Sequence, residues 1–470
     1  MPRMRGSVHA LISVVSVAVL GCGAARPLDS SGTAGSVAGT SGAAGTSGPS
    51  GAVGGAPSVG GSSAPSVAVT PKPASCMCAP GAGIDLLMCG GDWLPNTPRN
   101  APEAVITPDG ATVVFNRCNA EGSSCQSGVF RWKSGEGLKA LAADAWALAV
   151  SADGTTVLAT RTNDSTSFVA AADGTMTALP QEAYAHLLSA DGGTVVARVE
   201  ASPSLTTAAL WNVATGAEIP LGDLAGGPEY SEPTAINADA SVVVGYGNTE
   251  RGQEPFLWTR AGGLVALGTL PSQTVQTVAL ATSADGGVVV GSNLSDSGTA
   301  IFRWTTSGGI TALGYIFVNQ PLGAPESFFM PWTPPLLVSA DGSVVAGTAA
   351  EPSNPMLPQA FRWTAAGGLQ KLSTARASIV RAASADGRVI AGSSFASGAP
   401  AGMPFAALPY QPFIAVDGEG TRALADVLAS IELDGMTFGD PIALSADGRF
   451  LVGHATCAGA AAIFRAALPQ

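Results

Sequence analysis

An all-β fold, a β-propeller of four-stranded blades, is what this 470-residue chain predicts, with eight blades and seven as the alternative. Three observations predict it. The phrase Ser-Ala-Asp-Gly recurs six times, ending at Gly154, Gly192, Gly286, Gly342, Gly387 and Gly448, with degenerate copies at Thr107 to Gly110 and Asn237 to Ala240. Each copy opens a similar run of short alternating strands. The repeated aspartates, Asp109, Asp153, Asp191, Asp239, Asp285, Asp341, Asp386 and Asp447, lie 38 to 61 residues apart, and a four-stranded meander of about 40 to 50 residues is the unit size of a propeller blade.

The chain begins with a basic start, Arg3 and Arg5, and an apolar run from Leu11 to Leu20 that is too short to span a bilayer. That is the form of an export signal, residues 1–21. The residues that follow the run, Val19-Leu20-Gly21-Cys22, resemble the lipobox of bacterial lipoproteins. The resemblance implies that Cys22 carries the lipid and that acyl chains (palmitate among them) hold the protein to a membrane, each buried methylene adding about 0.8 kcal/mol. Gly23 beside the cysteine resembles lipoproteins sorted outward, so the expected location is the cell envelope, at the outer membrane.

From Cys22 to Ser75 the chain is almost entirely Gly, Ser, Ala, Pro, Thr and Val, with Arg26, Asp29 and Lys72 its charges. Such a segment cannot bury enough apolar surface to order itself and reads as a disordered linker. As a flexible coil it has an end-to-end distance of roughly 40 Å, enough to hold the domain that follows, residues 76–470, clear of a membrane.

The clearest repeat, Thr277 to Tyr315, shows why the unit is a meander. An apolar stretch runs into Ser283-Ala284-Asp285-Gly286, then come Val288-Val289-Val290-Gly291, Ile301-Phe302-Arg303-Trp304-Thr305, Ser307-Gly308-Gly309 and Ile310-Thr311-Ala312-Leu313-Gly314. Gly accepts positive φ and Asp bonds nearby amides, so Asp-Gly before β-branched residues makes a tight hairpin. The last repeat has only 23 residues after Asp447, too few for all its strands. The segment Ile84 to Trp93 is therefore expected to supply the outer strand of the final blade and close the ring.

These motifs resemble the HAF repeats of extracellular proteins, which read Ser-x-Asp-Gly-x-Val-Val-Gly, then Phe-Arg-Trp, Gly-Gly and Leu-Gly. The resemblance covers roughly residues 103 to 470 and implies a surface β-repeat domain. It brings no catalytic residues.

Seven cysteines less a lipidated Cys22 leave six, an even number suited to disulfides in an oxidising compartment. Cys118 and Cys125 flank one short loop, while Cys76, Cys78, Cys89 and Cys457 are placed to join the start of the domain to its end. Cys76-x-Cys78 and Cys89 lack structural-zinc spacing and no histidine lies near, so no metal or other cofactor is expected.

The net charge is −12, or −14 once Arg3 and Arg5 leave with the leader, which repels phosphate backbones and excludes nucleic acid as a partner. One aspartate per repeat is what a turn requires, so these groups read as structural. Ser-Ala-Asp-Gly is similar to the Asp box of sialidases but lacks its spacing, and nothing in the sequence groups Arg117, Arg161, Arg198 and Arg381. His186, on an expected inner strand, reads as a hydrogen-bonded packing residue, and Arg303 and Arg362 are expected to lie against Trp304 and Trp363. No nucleophile elbow, P-loop or dinucleotide fingerprint is present, so the expectation is not an enzyme.

Two departures from the repeat stand out, since binding gathers where loops leave a regular scaffold. Tyr315 to Pro335 inserts Phe317, Phe328, Phe329, Met330 and Trp332, of which Phe328, Phe329, Met330 and Trp332 are the candidate ligand-binding residues. Arg422 to Glu432 has helical apolar spacing and predicts a short helix packed on the ring. The functional expectation is a surface lipoprotein whose propeller binds or assembles with an unknown protein or glycan. The alternatives are a propeller hydrolase or lyase acting on glycans or peptides, and a purely structural envelope component.

Overall fold

The computed structural model describes residues 83–89, 102–121, 124–202, 205–271, 274–295, 298–318, 335–351, 354–375, 377–395, 410–429 and 435–469. Almost all of them lie in antiparallel strands, and the fold is a β-propeller. Seven meanders follow one another along the chain, at residues 104–143, 145–178, 183–222, 231–266, 274–318, 337–371 and 377–423 (blades 1 to 7). A single parallel bridge, Gln253 to Gln276, joins blades 4 and 5 into one sheet.

Blade 8 takes Met436–Leu444, Phe450–Cys457 and Ala460–Ala467 from the end of the chain and Ile84–Cys89 from its beginning. Ile84 pairs with Ala466 and Cys89 with Ala462, so the early segment is the outer strand of the last blade, as the truncated repeat predicts.

Each Ser-Ala-Asp-Gly phrase is the turn between the first and second strands of its blade. In blade 5 the Ser283 hydroxyl donates to Asp285 Oδ1 at 2.6 Å and accepts the Val288 N–H at 2.9 Å, while Asp285 accepts the Gly287 N–H at 2.8 Å. The repeated aspartates are thus turn-makers, and Asn237 plays the part of serine in blade 4 by accepting the Val242 N–H at 2.9 Å.

The second residue of the phrase links neighbouring blades. The N–H of Ala152 donates to Ala190 O (2.7 Å), Ala190 to Ala238 O (2.7 Å), Ala284 to Ala340 O (2.9 Å), Ala340 to Ala385 O (2.7 Å) and Ala385 to Ala446 O (2.8 Å). Blade 4 makes its link through a side chain, Asn237 Nδ2 to Ala284 O at 3.1 Å. Ala446 returns to Pro108 O at 2.9 Å, joining the last blade to the first; Pro108 has no N–H, so the series stops between blades 1 and 2.

The strand motifs pack the blades. Gly291 stands opposite Phe302, and a Cβ there would lie 2.6 Å from the Phe302 ring and 2.0 Å from Val278 O, so the glycine leaves room for the aromatic. Phe130, Phe256, Phe302, Phe361 and Phe464 are all fully buried, each contributing about 2–3 kcal/mol of apolar burial.

The arginine of the Phe-Arg-Trp element reaches forward, which corrects one expectation. Arg303 lies over Trp363 of the next blade, 5.4 Å from its centroid, and not against its own neighbour Trp304. Its guanidinium donates to Gly342 O at 3.3 Å, and Arg362 donates to Gly387 O at 3.4 Å.

The predicted helix is shorter than its pattern. Gly420–Ala423 is a strand and only Leu424–Val427 is helical, because Arg422 is held by pairing with Ile414. Leu424 and Leu428 are buried in the core of blades 7 and 8.

Candidate functional site

The inner strand of a blade runs from one mouth of the ring to the Ser-Ala-Asp-Gly turn at the other. Most inner strands carry a bulge just before the turn, with register shifts across Leu148, His186, Thr234, Leu280, Arg381 and Ile442. A bulge frees one residue from the ladder and re-aims its side chain. Five residues before the turn opens, at the position held by Trp146, Tyr184, Val278 and Ile379 in other blades, blades 4 and 8 place Glu232 and Asp440. Two polar clusters grow from these exceptions, both on the side away from the turns.

The first joins blades 3 and 4. Glu232 is only 8% exposed. Its Oε2 accepts from Tyr230 Oη at 3.2 Å and from Arg198 Nη1 at 3.4 Å, while Arg198 Nη2 is held closer by Glu200, at 2.8 Å. The guanidinium also lies over the Tyr184 ring, 5.0 Å from its centroid. His186 Nε2 comes to 3.5 Å from Glu232 Oε1, yet this buried nitrogen has no hydrogen-bond partner among the described residues. That differs from the hydrogen-bonded packing role its sequence position suggests, because the bulge turns the ring toward a carboxylate it does not quite reach.

Burial raises the Glu232 carboxyl above its usual range, with Arg198 and Tyr230 opposing the rise. Burial, aided by the Arg198 charge, brings His186 down to about 4, so the imidazole is neutral at pH 7. Tyr230 is pushed up to about 12 by burial and by Glu232.

The second cluster joins blades 7, 8 and 1. The bulge residue Arg381 pairs with Asp440 at 2.9 Å, and Ser393 Oγ donates to the other carboxylate oxygen. His454 Nε2 lies 2.6 Å from Glu103 Oε2, bridging blade 8 to the segment that leads into blade 1. Burial works to raise Glu103, but the hydrogen bond and charge of His454, with Arg381 behind it, hold its carboxyl below the usual range. Burial and Asp440 raise Tyr410.

Of the arginines singled out from sequence, Arg198 and Arg381 enter different clusters, and Arg161 lies over Phe168, 5.3 Å from its centroid. Glu232, Asp440 and Glu103 escape a reading by motif. Aligning the repeats on their turns reveals them as acids where other blades carry apolar or aromatic residues. The candidate binding residues Phe328, Phe329, Met330 and Trp332, the lipidation site Cys22, and Cys76 and Cys78 lie outside the described residues.

The side chains of Cys89, Cys118 and Cys125 are likewise outside them; the backbone register sets Cys118 opposite Ser127 and Cys125 opposite Ala120. Cys457 is buried and disulfide-bonded. No three His, Cys, Asp or Glu side chains are grouped to hold a metal among the described residues, and none of the helices there is long and apolar enough to cross a membrane.

No family model matches the chain, and no curated protein matches it in sequence. Among solved structures it is similar to the β-propeller domain of the trilobed protease of Pyrococcus furiosus, at 11% identity and a TM-score of 0.42, covering 69% of this chain and 98% of that one. It is similar to TolB of Acinetobacter baumannii at 11% identity and a TM-score of 0.34, covering 80% and 86%. Similarity to a prolyl endopeptidase has 9% identity and a TM-score of 0.47; it takes in 75% of this chain and 54% of the endopeptidase.

Proposed function

We propose that this protein is an exported, lipid-anchored binding module of the cell envelope, tethered through Cys22 and the 22–75 linker, with the mouth away from the Ser-Ala-Asp-Gly turns as its binding face. The observation that carries this reading is the division of labour between the two mouths. One is occupied by turn hydrogen bonds that tie blade to blade. The other gathers Arg, Glu, His and Tyr on bulged inner strands, groups suited to orienting a polar ligand such as a glycan or peptide.

Glycan and peptide arrays probed with the full chain test it. Binding lost in Tyr184→Ala and Asp440→Asn but kept in Asp285→Asn supports the reading. Binding lost only in the turn variant, or absent throughout, overturns it.

A second reading, an enzyme acting on the same ligands, draws on the facing of Glu232 and His186, whose proton affinities are displaced in opposite directions. Turnover of an array ligand that disappears in Glu232→Gln would favour it over binding alone.

A further inference from the structure

The two clusters share one plan at two matched positions, and at those positions they differ by one positive charge. In blades 7 and 8 the bulge residue, three before its turn, is Arg381, and it faces the acid five before the next turn, Asp440, at 2.9 Å. In blades 3 and 4 the same two positions hold His186 and Glu232, at 3.5 Å. The imidazole brings no permanent charge, and its Nε2 is buried without a hydrogen-bond partner. Arg198 is shared by two carboxylates and sits nearer Glu200, at 2.8 Å, than Glu232, at 3.4 Å. Both hydrogen bonds to Glu232 end on Oε2, so among the described residues none reaches Oε1. A carboxylate this buried, with Arg198 shared and Oε1 without a hydrogen bond among the described residues, is costly unless a proton or a cation joins it.

We propose that the site formed by His186, Glu232, Tyr230 and Tyr184 binds an organic cation, a primary ammonium group that stands at Glu232 Oε1 where Arg381 stands at Asp440. The tyrosine rings give the carbon chain behind the ammonium an apolar surface, and their quadrupoles favour positive charge. A neutral alcohol of the same size brings no charge to Glu232, and a carboxylate is repelled by it. This rests on the reading of the mouth as a binding face and names the ligand class one of its clusters takes.

The test uses the full chain and n-butylammonium, with n-butanol as the neutral control. The sequence has only three histidines, so the imidazole C–H resonances of His186 can be assigned by substitution and followed during titration. Saturable shifts with n-butylammonium, absent with n-butanol, are expected; equal shifts with both, or none with either, overturn the proposal.

Two variants are measured by calorimetry alongside. Glu232→Gln is expected to weaken n-butylammonium at least tenfold, and unchanged affinity in a folded Glu232→Gln protein overturns the proposal. His186→Arg copies the arrangement of blades 7 and 8, giving Glu232 a resident cation, and is expected to weaken binding at least tenfold without loss of fold. Full affinity in His186→Arg overturns the proposal even if Glu232→Gln fails to fold. Spermidine, glucosamine and a lysine-bearing peptide then distinguish the sources of the ammonium. Failure with n-butylammonium removes this inference alone, because the function of the mouth is decided by the array variants.

Discussion

Arg465 donates from Nε to the carbonyl of Gly110 at 2.6 Å, the same forward reach that Arg303 makes to Gly342 and Arg362 to Gly387. The last blade therefore addresses the first as any blade addresses its successor. At this seam the arginine also pairs with Asp85 on the N-terminal strand at 2.5 Å and lies 3.7 Å from the Phe450 centroid and 5.2 Å from that of Trp132.

Arg465→Ala should accordingly cost more than Arg303→Ala. It removes a mostly buried cation, its stacking and its carbonyl contact at once, a loss of about 2–4 kcal/mol, whereas Arg303→Ala gives up a longer hydrogen bond and one ring contact. Urea unfolding of the two variants gives the comparison, and limited proteolysis should release the N-terminal strand of Arg465→Ala first. Equal stabilities would mean that the seam is held by strand pairing alone.

The turn glycines carry a double demand. Gly342 has φ +71° and a Cβ there would fall 2.3 Å from Val288 of the preceding blade, while Gly309 has φ +62° with nothing within 4 Å. Gly309→Ala should cost only the left-handed backbone, about 1–2 kcal/mol. Gly342→Ala adds overpacking between blades and should cost about 2–5 kcal/mol. Chemical denaturation of both separates the conformational penalty from the steric one.

The turn aspartates predict an acid limit. In the folded state Asp285 and Asp341 are held below their ordinary value of 3.8, chiefly by the hydroxyl of the turn serine and by a backbone N–H. A carboxyl depressed by folding adds stability above its unfolded pKa, and that stability is lost as pH falls through the folded value. Melting temperature should drop steeply below pH 3.8, and less steeply in Asp285→Asn. An Asn variant with the wild-type acid slope would place the proton uptake elsewhere.

The fold was legible because its turn chemistry recurs: a Ser, an Asp and a Gly at fixed offsets can satisfy a hairpin in only a few ways, and the missing strand after Asp447 pointed to Ile84. The site was not, because Glu232 and Asp440 belong to no motif, and His186 looks like any polar residue on a strand. What makes them a pair of clusters is a bulge, and a bulge depends on strand register, which the sequence of one strand does not reveal. The reach of Arg303 to the next blade was hidden for the same reason, since Trp363 is its neighbour only in the ring.

His186 yields a prediction of the opposite kind from the aspartates. Its folded pKa is about 4 against an ordinary 6.5, so protons bind the unfolded chain first, and stability is lost as pH falls from about 6.5 toward 4. Taken alone the group accounts for at most about 3 kcal/mol across that window. Glu232 works against it, because a carboxyl raised by burial gains stability as it takes up a proton and loses it as pH rises. The informative measurement is therefore the difference between wild type and His186→Gln at pH 6.5 and pH 4.5. The variant should lose less stability between these two points, since it retains Glu232 but has no imidazole to keep neutral. A wild-type pH dependence in His186→Gln would mean that the imidazole takes up its proton equally in the folded and unfolded states.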